Sequence, residues 1–289
     1  MRTSLVIGFD SAWSLNNSGG IVGVFVNKNG ENISLGDPIV KDLEGAACLI
    51  KEWQKEHHAK STLILIDQPI IVPNKDGQRP VENIVGAPIS RRYGGVQSSN
   101  RSKHELFGDG APIGTFLGNF DGPFNPMESC HNQGHTNCVI ETYPVLAMIA
   151  MGWLLNDDHQ RNSRATGRLP KYNPANRRKF SYEDWRFVCH QTALGMEKLG
   201  LSHLGEWLTN AENNESPLKK DQDCLDACIC LLVGMHMVGK HDCLFVGNMD
   251  TGCMVVPYGV TLHQELAMRC MQSNPIRQPD DWITKFKMA

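Results

Sequence analysis

Four carboxylates stand where chemistry could use them. Asp10 ends the run SLVIGFD, Asp67 ends STLILID, Glu141 ends NCVIE, and Asp226 lies in the apolar stretch DQDCLDACICLLVGMHMV. A charge at the tip of a core strand is costly unless it is paired or binds a metal. For Asp10 the plainer alternative is a capped Asp-Ser turn. Acids brought together repel one another unless a cation neutralises them. Hard oxygen donors suit Mg²⁺ or Mn²⁺. Two such ions about 4 Å apart activate a water and stabilise the leaving oxygen in phosphodiester hydrolysis. Asp223 shares a helix face with Asp226. It reads first as the cap of that helix, and as a fifth metal ligand second.

The elements that must position these acids follow from apolar patterning. Leu5, Val6, Ile7 and Phe9 fit a buried strand. A second strand is expected over Gly20–Asn27, a hairpin turn at Asn29-Gly30, and a third strand over residues 31–36. Leu43, Ala46, Ala47, Ile50 and Trp53 have helical spacing within residues 42–58. The next strand stops at Asp67, before Pro69. Three antiparallel strands, a helix and a parallel strand imply a right-handed crossover. Asp10 and Asp67 would then end adjacent parallel strands, where open α/β sheets place ligands. Further helices are expected over 144–154, 181–199, 202–212, 223–238 and 260–271, and short strands over 243–246 and 253–256. Asp226 should sit in the first turn of the 223–238 helix. Residues 70–136, rich in Gly, Pro, Asn and Ser, read as a long functional insertion with little periodicity.

Residues 161–179 carry Arg161, Arg164, Arg168, Lys171, Arg177, Arg178 and Lys179 and no acid, with Tyr172, Phe180, Tyr182 and Trp185 among or just after them. Such a segment can hold a phosphate backbone and stack unpaired bases, although charge runs are commonly only solvated surface. Lys171, Arg177 and Arg178 are the expected nucleic-acid contacts, joined by Arg91 and Arg92 of the insertion. Cys130, His131, His135 and Cys138 fall within nine residues. They read either as a zinc site or as a loop with reduced thiols. Cys224, Cys228 and Cys230 read as reduced core thiols.

These motifs carry a resemblance. The acids in IGFDSAW, LILIDQP and DQDCLDACIC, in this order of elements, resemble the ribonuclease H-like fold. The Asp223/Asp226 spacing is similar to the helix acid pair of Holliday-junction resolvases. IDQP, VIETYP, KYNPANRR and the LDA helix resemble a domain family of unknown function described as predicted ribonuclease H-like nucleases. The likeness runs to the late hairpin CLFVGNMDTGCMVVP. It implies an α/β fold with a mixed sheet flanked by helices, in one domain over 1–289 with the insertion at 70–136, a basic loop at 156–180 and a C-terminal hairpin. It also implies Asp10, Asp67, Glu141 and Asp226 as catalytic metal ligands, with Asp223 as a further candidate.

Composition fits a soluble enzyme: 41% hydrophobic and 20% charged residues over 289 positions. A net charge of -3 gives no global pull toward nucleic acid, so contact must come from a local basic patch. No apolar run reaches a membrane-spanning length, no secretory leader is evident, and a cytoplasmic protein is expected. P-loop and nucleophile-elbow motifs are absent. The expectation is a divalent-metal-dependent nuclease acting on RNA or DNA. Its alternatives are a non-catalytic nucleic-acid-binding or scaffolding protein, then an ATP-dependent phosphotransferase.

Overall fold

The computed structural model describes residues 3–14, 17–128, 136–156 and 167–288. In chain order the elements are β1 (Ser4–Asp10), β2 (Gly19–Val26), β3 (Asn32–Ser34), β4 (Ile39–Lys41), α1 (Leu43–Glu56), β5 (Ser61–Ile66), α2 (Pro80–Ser90), α3 (His104–Phe107) and α4 (Pro112–Gly118). They continue with β6 (Asn137–Glu141), α5 (Pro144–Ala150), α6 (Tyr182–Lys198), α7 (Ser202–Glu212), α8 (Lys219–Val238), β7 (Cys243–Asn248), β8 (Gly252–Pro257), α9 (Val260–Gln272), α10 (Pro279–Trp282) and β9 (Ile283–Phe286). The protein is α/β, with a mixed main sheet flanked by helices. No described helix is long and apolar enough to cross a membrane.

The main sheet runs β3-β2-β1-β5-β6, with β4 paired to the other end of β2. β1 is central and, apart from its half-buried first residue, buried along its length. That is why it reads as a continuous apolar run rather than an alternating one. It pairs antiparallel with β2 and parallel with β5, placing Phe9 against Ile66. β5 pairs parallel with β6, placing Ile66 against Glu141. The acids therefore end three neighbouring parallel strands, as the apolar runs imply.

Strand alternation sorts them between faces. Asp10 shares the parity of Val6 and Gly8, and Asp67 continues that of Leu63 and Leu65. Val6, Leu63 and Leu65 pack in the core that includes α8. Glu141 has the parity of Val139, which packs in the other core with α1.

α8 lies directly on the sheet because two glycines let it. A Cβ on Gly8 would fall 2.1 Å from the Ala227 carbonyl oxygen, and one on Gly20 would fall 2.2 Å from that of Asp223. Any side chain there would push the helix off β1 and β2. This close backbone approach carries Asp223 and Asp226 to the strand ends.

Several expectations need correction. α8 begins at Lys219, and the Leu218 N–H donates to Asp221 Oδ2 at 2.8 Å. Asp221 is thus the capping acid, Asp223 lies inside the helix, and Asp226 sits two turns in rather than in the first. The insertion, which shows little periodicity in the sequence, holds α2, α3 and α4. β4 and β9 are strands too short to leave a readable pattern. β9 completes a second sheet, β8-β7-β9, around the expected hairpin.

Candidate functional site

Asp10, Asp223 and Asp226 are buried, and Asp67 is partly exposed. The Asp67 N–H donates to the Phe9 carbonyl at 2.8 Å, which locks the two strand-end aspartates side by side. Burial pushes the Asp10 carboxyl well up, and the charges of Asp67 and Asp226 add to it. Burial likewise raises Asp67, followed by the charges of Asp226 and Glu141. Asp226 is pushed up to about 6 by burial, against the pull of two hydrogen bonds and Lys219. Those bonds come from the Tyr172 hydroxyl to Oδ1 at 2.6 Å and from Gln222 Nε2 to Oδ2 at 2.7 Å.

Lys219 is the cation that faces this group. Its Nζ pairs with Asp223 one helical turn away. Burial works against its charge, but Asp10, Asp223 and Asp226 outweigh burial and raise its pKa. Two buried polar atoms beside the aspartates, Nε2 of Gln68 and Oε1 of Gln222, find no partner among the described residues. Gln68 follows Asp67 directly and accepts from the Ser11 hydroxyl.

Glu141 stands apart. Arg79 holds it bidentately, at 2.6 Å to Oε1 and 2.9 Å to Oε2, and the Ile70 N–H donates to Oε2 at 3.2 Å. The same guanidinium donates to Glu82 at 2.8 Å and to the Ile71 carbonyl at 3.1 Å. Burial opposes the Arg79 charge, but Glu141 and Glu82 outweigh it and raise the pKa. Glu141, expected as a metal ligand, has both oxygens engaged by a buried arginine. Asp223 has one oxygen, Oδ1, engaged by the half-exposed Lys219.

Asp10, Asp67 and Asp226 remain as a hard-oxygen donor set suited to Mg²⁺ or Mn²⁺. The charges raising their pKa values are those a cation would relieve. As the side chains stand, no three His, Cys, Asp or Glu groups among the described residues converge tightly enough to hold a metal ion. The donor chemistry fits. Binding would require these carboxylates to draw together.

The basic segment is tied to this site. Tyr172 reaches from it to Asp226, Arg168 pairs with Asp184 at 2.5 and 3.0 Å, and the Lys171 N–H donates to Asp184 at 2.6 Å. Lys171, Arg177, Arg178 and Lys179 are exposed. Arg161 and Arg164 lie outside the described residues. The aromatics divide. Tyr172 is buried, and Trp185 is fully buried with its indole N–H bonded to the Ala211 carbonyl at 2.9 Å. Tyr182 is exposed, with Phe180 against it edge-on.

Arg92 does not face solvent. It is fully buried and pairs bidentately with Glu265 at 2.7 and 2.8 Å. That leaves Arg91, partly exposed and 4.0 Å from the same carboxylate. Cys130, His131 and His135 lie outside the described residues. Cys138 is disulfide-bonded, which corrects the reduced reading and removes its thiolate from any zinc set. Cys224, Cys228 and Cys230 are free and buried, as expected.

The family model described as "Protein of unknown function (DUF429)" matches residues 8–249, from β1 through β7. The chain belongs to this family. The DUF429 span contains Asp10, Asp67, Arg79, Glu141, Tyr172, Lys219 and Asp226, whereas Glu265, the partner of Arg92, lies beyond it. A comparison with curated proteins found no match.

Lys219, Tyr172 and Arg79 were not foreseen in these roles. Lys219 and Asp223 are four apart, a legible helical ion-pair spacing once the helix start is known. Nothing local marks Arg79 as the partner of a residue 62 positions away.

Proposed function

We propose that this DUF429 protein is a divalent-metal-dependent nuclease of ribonuclease H-like fold. The fold reading is supported by the sheet order, in which an antiparallel β3-β2-β1 unit continues into parallel β5 and β6 with α8 across it. The observation that carries the activity is the aspartate group of buried Asp10 and Asp226 with partly exposed Asp67, whose pKa values are raised and whose facing cation is the lysine Lys219.

Asp10, Asp67 and Asp226 would hold Mg²⁺ or Mn²⁺, which supplies water activation and leaving-oxygen stabilisation when bound. Tyr172 and Gln222 orient Asp226. Arg79 and Glu141 fix the loop after β5 and so the backbone behind Asp67. Lys171, Arg177 and Arg178 hold the phosphate backbone of RNA or DNA. Glu141 and Asp223 are positioning groups rather than ligands in this scheme.

A second reading is a non-catalytic nucleic-acid-binding or scaffolding protein. The Lys219–Asp223 pair and the open spacing of the acids favour it. The test is cleavage of single- and double-stranded RNA and DNA with Mn²⁺ by wild type and Asp67→Asn. The nuclease reading expects cleavage by wild type and at least a hundredfold loss in the variant. Binding without cleavage by either protein selects the scaffold.

A further inference from the structure

A cavity of about 140 Å³ opens beside Asp67, between the segment after β1, the insertion, the end of β6 and β8. Its apolar wall includes Trp13, Val96 and Met254, and its polar wall includes Gln97 and Ser99. Ser99 is fully buried, and its N–H donates to Glu82 at 3.0 Å. Its hydroxyl has no hydrogen-bond partner among the described residues. A buried hydroxyl left unpaired is costly, and a turn of the Ser99 side chain toward a partner in the cavity would remove that cost.

Trp13 adds an independent observation. Its φ is 57°, in the left-handed region that bulky side chains rarely enter. Such conformations persist where the surroundings enforce them, and they cluster at ligand sites. Here the indole N–H donates to the Asp67 carbonyl at 2.9 Å, and the ring meets Phe107 edge-on at 5.8 Å. An aromatic wall is thus fixed to the residue that carries a site carboxylate.

Of the charges in the wall, Arg79, Glu82 and Glu141 are already spent on one another, and Asp67 is the site carboxylate at its edge. Arg79 is bonded to Glu82, Glu141 and the Ile71 carbonyl, so it offers little to an anion. The cavity suits a neutral ring with polar edges. At roughly 30 Å³ per water it has room for about five waters, close to the volume that admits one six-membered ring and too little for a base pair.

We propose that this cavity holds a single unpaired nucleobase. The ring stacks against Trp13, its polar edge meets the Ser99 hydroxyl and Gln97, and its phosphate turns toward Asp67. The orientation rests on the nuclease reading and narrows it to substrates with an unpaired nucleotide at the cleavage point. Base–aromatic stacking tolerates any sequence, and the two polar groups would add a modest preference among bases.

The test uses nucleosides in the presence of a chelator, so it is independent of metal binding and of phosphate repulsion by the aspartates. Uridine and adenosine are titrated into wild type, Ser99→Ala and Val96→Trp by ligand-observed NMR, with ribose as the base-free control. Ser99→Ala removes no side-chain bond among the described residues, so its fold is expected to be intact. The expected result is saturable nucleoside binding without ribose binding, weakened up to about tenfold by Ser99→Ala and abolished by Val96→Trp. Ribose binding as well as the nucleosides, nucleoside affinity unchanged in both variants, or no nucleoside binding at millimolar concentration would each overturn the proposal. Mn²⁺ binding without nucleoside reads the metal site separately, so either idea can fail alone.

Discussion

Two acidic groups stand at the same end of one sheet and are treated in opposite ways. Glu141 and Glu82 are buried and share Arg79, whose hydrogen bonds to the two carboxylates all lie between 2.6 and 3.0 Å. Glu265 is handled in the same manner by Arg92. Asp10, Asp67 and Asp226 are also packed into the protein, yet no guanidinium among the described residues meets them. Their facing cation is Lys219, a flexible point charge already paired to Asp223. Where the fold needs buried acids for structure, it supplies planar, bidentate partners. Where it leaves acids raised and mutually repelling, the arrangement works against stability, and a bound cation is the natural compensation.

The difference can be broken from either side. The largest effect is expected for Arg79→Met. It strands Glu82 and Glu141 without a counter-charge, and losing one partner of a buried pair costs about 3–5 kcal/mol. Urea unfolding should show a large drop in midpoint, and a change within about 1 kcal/mol would mean Arg79 is not what holds these acids.

Asp226→Asn should act in the opposite direction. The folded carboxyl titrates near 6, against about 3.9 unfolded. Between those values the folded form binds more protons than the unfolded form, so stability falls as pH rises through that window. Above pH 6 the deficit is about 2–3 kcal/mol in metal-free protein. The amide removes it, and Gln222 can turn its unpartnered Oε1 to accept the new N–H. Unfolding in chelator at several pH values should show the variant ahead of wild type above pH 6, with the gap closing toward pH 4. Parallel curves would contradict the shift.

Lys219→Met sharpens the contrast at the level of the cation. Metal-free protein should lose thermal stability near neutral pH, and Mn²⁺ should restore more of it than in wild type. The smallest effect on folding belongs to Arg177→Ala with Arg178→Ala. Both side chains are exposed, and stability should stay within about 0.5 kcal/mol per site. The salt dependence of nucleic-acid binding should weaken by about one unit of slope for each phosphate no longer neutralised.

How far the sequence reached differs between these regions. The strand ends were legible because β1 and β5 are continuous apolar runs interrupted by a charge, and a helix between them forces a parallel pairing. That reasoning places Asp10 beside Asp67. It does not separate Glu141 from them, because strand parity must be counted from a register that only pairing fixes. Asp223 was misjudged as a cap for a local reason, since Leu218 and Asp221 open α8 a turn earlier than the apolar stretch begins. Arg92 reads as a surface cation by composition, and only its meeting with Glu265, 173 residues away, shows it to be buried. The insertion hid its helices behind Gly and Pro. It nonetheless supplies Arg79 and Ser99, the residues that build the wall beside Asp67.

The central claim is that Asp10, Asp67 and Asp226 form a site for a divalent cation. Isothermal calorimetry with Mn²⁺ on wild type and on the Asp10→Asn, Asp226→Asn double variant tests it most directly. Saturable binding by wild type and none by the variant is the predicted result. No binding by wild type at millimolar Mn²⁺, or equal binding by both proteins, would contradict it.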